Sequence, residues 1–117
     1  MKPILLATLL LTFTAPAYAQ RVQADLECKP AKGLLTYDCT IRLAQGGKPL
    51  EKAQLSVGAD MPSMPMAHNV KPAKASAGDK PGEYRVRLEL EMSGEWAVKL
   101  RLSGPVRDQI IVKQNFE

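Results

Sequence analysis

Tyr84-Arg85-Val86-Arg87-Leu88-Glu89-Leu90 leads through Glu91-Met92-Ser93-Gly94-Glu95 into Trp96-Ala97-Val98-Lys99-Leu100-Arg101-Leu102. Apolar residues stand at 84, 86, 88 and 90, and again at 96, 98, 100 and 102. A period of two is the signature of a strand with one face in a core and one in water. Met92-Ser93-Gly94 reads as the tight turn between the two. Trp96, the only tryptophan, shares the apolar phase of its strand and is expected to anchor the core.

The same period runs through most of the chain. Val22, Ala24, Leu26 and Cys28 alternate with polar residues, and Leu35, Tyr37, Cys39, Ile41 and Leu43 do so again after the turn at 29–33. A second turn at 45–49 precedes a strand through Ala53, Leu55 and Val57, ending at Gly58. A weaker strand is expected over 69–73, a small-residue loop over 75–82, and a last strand over 110–112 after the Ser103-Gly104-Pro105 turn. About seven short strands without a helix predict an all-β fold, an immunoglobulin-like antiparallel β-sandwich. If every connection reverses direction, the turns at 29–33, 58–68 and 92–94 gather at one end of it.

The N-terminus reads as a cleavable signal peptide over 1–19. Lys2 precedes an apolar run over 4–13, Ala17-Tyr18-Ala19 ends in small residues, and Gln20 becomes the new N-terminus. The apolar run is too short to span a membrane, and no other run is longer, so no membrane span is expected in the mature chain. Residues 20–117 suffice for one small domain, exported to the periplasm or secreted. In that oxidising compartment the chain's two cysteines, Cys28 and Cys39, read as a disulfide. Sixteen Lys and Arg oppose twelve Asp and Glu, for a formal charge of +4. The two signs are interleaved and no basic stripe carries aromatics, which argues against a nucleic-acid partner.

The chemistry concentrates in Met61-Pro62-Ser63-Met64-Pro65-Met66-Ala67-His68, which holds three of the five methionines and the only histidine. Thioether and imidazole are soft and borderline donors that favour Cu(I) over hard cations. Met61 and Met64 precede prolines, which biases both toward extended backbone. In an extended segment Met64, Met66 and His68 project to one side. Met92, at the same end of the sandwich, is a candidate further sulfur ligand. Methionines also plug cores, and that reading stands beside the metal one. Asp60, next to the segment, reads as a turn residue. A single histidine, with no nucleophile elbow, phosphate loop or acid pair, argues against an enzyme.

The run 61–68, the Gly82-Glu83-Tyr84 strand start and Glu91-Met92-Ser93-Gly94-Glu95-Trp96 together resemble the YtkA-like and FixH-like family of exported β-sandwich domains. The resemblance covers roughly residues 50–102. It implies copper handling or the assembly of copper-containing respiratory oxidases. It carries Met61, Met64, Met66 and His68 over as candidate ligands, with Met92 as a weaker addition. FixH-like members generally keep an N-terminal membrane anchor, whereas the N-terminus of this chain reads as a cleavable leader. The function expected is a periplasmic Cu(I) carrier or buffer serving a membrane efflux or oxidase-assembly partner. The rival is a metal-free interaction domain that uses the Met-Pro segment as an apolar contact loop. A third class is a small exported inhibitor of a foreign enzyme.

Overall fold

The computed structural model describes residues 3, 9–11, 21–64 and 68–117. Most of the expected leader over 1–19, and Met66, therefore lie outside the described residues. The described chain is all-β and folds as an antiparallel sandwich of two sheets. The first sheet is ordered β1 (Gln23–Pro30), β2 (Thr36–Gln45), β7 (Glu83–Glu89), β6 (Ser76–Ala77), with the short β3 (Lys48–Pro49) added on β2. The second is ordered β5 (Asn69–Lys74), β4 (Gln54–Asp60), β8 (Gly94–Gly104), β9 (Arg107–Phe116). The order β1-β2-β7-β6 opposite β4-β8-β9 is that of the immunoglobulin fold, with β5 as an extra strand beside β4. Seven of the nine strands are of ordinary length, in keeping with the pattern in the sequence. Among the described residues no helix is long and apolar enough to cross a membrane.

The core is made by the apolar phase of each strand. Tyr37, Cys39, Ile41 and Leu43 of β2 face Leu55 and Val57 of β4 and Trp96, Val98, Leu100 and Leu102 of β8, all buried. Trp96 is wholly enclosed and donates its indole Nε1–H to the Met92 carbonyl at 3.1 Å, so its one polar atom is satisfied. Cys28 and Cys39 are direct register partners across β1 and β2 and form the expected disulfide, eleven residues apart in sequence. Closing a loop of that length contributes about 3 kcal/mol by chain-entropy reasoning, useful to a core this small.

The departures from the sequence reading lie at strand ends. The last strand is not the short 110–112 segment but the ten residues of β9. Its weak pattern reflects an edge position, where the inward residues Asp108, Ile110, Val112 and Gln114 are only half-buried. β8 continues through Gly104, and the turn moves to Pro105 and Val106. β4 continues past Gly58 to Asp60, because Gly58 and Ala59 are both buried and break the alternation that marks a half-wet strand. The connections do reverse as expected. Leu90 N–H donates to Leu35 O at 2.9 Å, which joins the 31–35 and 90–93 turns at one end, and the 61–68 loop lies at that end too.

Candidate metal centre

The antiparallel strands β4 and β5 must be joined by a reversal, and the 61–68 loop supplies it. Met61 N–H donates to His68 O at 3.3 Å, extending the ladder one pair beyond Asp60 and Asn69. Met64 N–H donates to Met61 O at 3.0 Å, closing a β-turn with Pro62 second. Proline is favoured there because its φ is preset for that position. His68 N–H donates in turn to Met64 O at 3.2 Å. The extended backbone expected from the Met-Pro pairs thus does not continue through this segment. Met64 and His68 are held near one another by that His68–Met64 backbone hydrogen bond, not by strand alternation. The pressure for reversal between paired strands overrides the local bias toward extension.

The two described methionines of the loop differ sharply. Met61 is 4% exposed and belongs to the core, whereas Met64 is 38% exposed. The Met61 methyl lies under the start of β8, where a Cβ on Gly94 would come within 3.0 Å of its Cε. Gly94 also has φ +135°, so both the backbone and the close approach call for glycine. This accounts for the glycine two residues before Trp96 in the motif.

His68 Nδ1 lies 2.7 Å from Glu91 Oε2, with the imidazole 28% exposed. An ionised carboxylate only accepts, so in the neutral ring the proton sits on Nδ1 and the Nε2 lone pair is left available. A histidine oriented by a carboxylate through its other nitrogen is the usual arrangement around protein-bound transition metals. The contact also ties the 61–68 loop to the turn that carries Met92. Met92 is half-buried against the core, and its carbonyl is held by Trp96.

Met61, Met64, His68 and Met92 are therefore all at one end of the sandwich, as the alternation of turns requires. Met66 lies outside the described residues. Glu91 was not singled out in the sequence as a site residue; its place directly before Met92 is the only signal, and an acidic residue in a turn is too common to be informative. Asp60 is not a turn residue. It ends β4 on the outer face of the second sheet and pairs with Lys99 at 2.6 Å, because its register opposite Ala97 brings Lys99 within reach. Groups of three or more His, Cys, Asp or Glu with metal-holding geometry do not occur among the described residues.

Fold and site together describe a disulfide-stapled β-sandwich with soft donors at one end. The sequence model of the YtkA-like family matches residues 17–101, and the chain belongs to that family. No curated protein and no solved structure gives a significant match.

Proposed function

We propose that the protein is a non-enzymatic, periplasmic Cu(I) carrier or buffer, exported by a signal peptide over 1–19. Met64, Met66 and His68 are the principal ligands, with Met61 or Met92 completing the set. The observation that carries this reading is the His68–Glu91 hydrogen bond, which orients the only imidazole and leaves its Nε2 free at the methionine-bearing end. Thioethers do not take up protons at accessible pH and form no disulfides, so they suit an oxidising compartment. Cu(I) accepts low-coordinate sulfur and nitrogen sets without carboxylates, whereas zinc normally takes His, Cys or carboxylate ligands. The partial exposure of Met64 and His68 suits passing copper to a membrane efflux or oxidase-assembly partner better than storing it.

Anaerobic Cu(I) titration against a competing chelator tests the proposal. The parent should bind one equivalent, and the double variant Met64→Leu with Met66→Leu should bind at least about tenfold more weakly. The apolar bulk is kept, so the metal-free fold should lose less than about 1.5 kcal/mol. His68→Ala should weaken binding less than the double variant. Undiminished affinity in the double variant moves the site elsewhere. No binding by the parent leaves the metal-free interaction domain, which the exposure of Leu34 and Met64 at the same end favours.

A further inference from the structure

The outer faces of the two sheets differ in how their charges are arranged. On the first sheet the cations of β1, β2 and β7 are engaged, while Lys48 of β3 forms no ion pair among the described residues. Arg87 meets Asp38 at 2.9 Å, Arg85 meets Asp79 at 2.8 Å and the buried Glu83 at 3.3 Å, Arg42 reaches Asp25 and Glu27 at 3.5 Å, and Lys29 reaches Glu27 at 3.8 Å. On the second sheet the register sets Arg101 beside Gln109, Ser103 beside Arg107 and Ala97 beside Lys113, while Lys74 stands opposite Ser56. Lys71 lines one shallow groove with Lys99, Arg101 and Gln109. Lys99 is paired with Asp60, but Lys71, Lys74, Arg101, Arg107 and Lys113 form no ion pair among the described residues. Glu95 is the one other carboxylate that the strand phase puts on this face, and just past β9 Glu117 reaches Asn115 of the same face at 3.4 Å. The exposed Ile111 stands among the cations as the register partner of Lys99.

We propose that the outer face of the second sheet is a docking surface for an anionic lipid bilayer. Clusters of four to eight Lys and Arg on one surface are what anionic headgroups attract. The composition disfavours a protein partner, since interface centres are depleted in lysine and enriched in aromatics, and this face presents several lysines and no aromatic ring. Ile111 is the one large exposed apolar side chain on the face, sited to enter the headgroup layer. β4 and β5 belong to this sheet, so docking face-down brings the 61–68 loop to the bilayer surface. The proposal does not depend on copper, and loss of the copper reading leaves it standing.

The test is co-sedimentation of the exported protein with vesicles, either phosphatidylglycerol mixed equally with phosphatidylcholine or phosphatidylcholine alone. Binding should occur only to the anionic vesicles and should vanish as salt rises from about 0.05 M to about 0.5 M, where screening reaches contact distance. Each cation contributes roughly fivefold at low salt, so Arg101→Gln with Arg107→Gln and Lys113→Gln should bind about a hundredfold more weakly. A variant that removes the same charge from the other face, Lys29→Gln with Arg42→Gln and Arg87→Gln, should lose less than about fivefold. Equal losses in the two triple variants would reduce the effect to net charge and overturn the proposal. Failure of the parent to sediment with anionic vesicles would overturn it in favour of an acidic protein partner.

Discussion

At the end of the sandwich that carries the 46–53 and 78–82 loops, the Tyr84 hydroxyl accepts from Ala53 N–H at 2.9 Å and donates to Leu50 O at 2.8 Å. Leu43 N–H donates to Gly82 O at 2.8 Å beside it, and Gly82, at φ +75°, is pressed against Leu43 O and Pro49. At the opposite end the links include the Leu90–Leu35 backbone bond and the half-exposed His68–Glu91 bond, and Met64 and Met92 are only partly covered. One end spends the Tyr84 hydroxyl and the neighbouring backbone groups on internal bonds. The other keeps an imidazole nitrogen and thioether sulfurs unspent. The Gly82-Glu83-Tyr84 and Met92-Ser93-Gly94-Glu95-Trp96 runs of this chain thus serve different purposes: the first closes an end, and the second builds a platform under Met61 and the loop that bears Met64 and His68.

The sharpest way to break this contrast is Gly82→Ala. The new Cβ would lie 2.7 Å from Leu43 O and 2.9 Å from Pro49 Cβ, at a φ that alanine adopts only under strain. Urea unfolding should show a loss of roughly 2–4 kcal/mol, while copper affinity per folded molecule stays at the parent value. An unchanged unfolding midpoint would mean that this end yields as readily as the other.

Glu91→Ala probes the donor end. Removal of a carboxylate that orients a metal-binding histidine typically costs 10- to 100-fold in affinity, and about tenfold is expected here. Glu91 is exposed, so stability should change by less than about 0.5 kcal/mol. A copper affinity equal to the parent's would remove Glu91 from the site.

The smallest effect belongs to neither end. On the first sheet's outer face the Arg87 guanidinium donates to Asp38 and holds its carboxyl below the ordinary value of 3.8. A carboxylate whose pKa is depressed by folding contributes stability above its unfolded pKa, and the contribution is lost as pH falls through the folded value. Thermal midpoints of the parent and Asp38→Asn should differ slightly at neutral pH and converge in strong acid. The pair is fully exposed, so high salt should shrink the difference as well. A gap that persists below the folded pKa would assign the effect to something other than this ion pair.

Much of the fold was legible in the chain, because alternation over 84–90 and 96–102 leaves one way to bury each strand. The disulfide followed from an even cysteine count in a chain whose N-terminus reads as an export signal. The gathering of the methionine-bearing turns at one end followed from counting reversals, since each crossover between sheets still reverses direction. The site was legible in its residue types and less so in its geometry. The Met-Pro pairs suggested a straight segment, but the reversal between β4 and β5 bends it.

Residue chemistry and periodicity were thus determined by the sequence alone: strands, an inward Trp96, a stapling Cys28–Cys39 pair, and soft donors in one short segment. Only the tertiary structure decided that Met61 enters the core while Met64 does not, that Glu91 orients His68, and that unpaired cations collect on one face. Those outcomes depend on which strands become neighbours and in what register, and a period of two carries no record of a strand's partner.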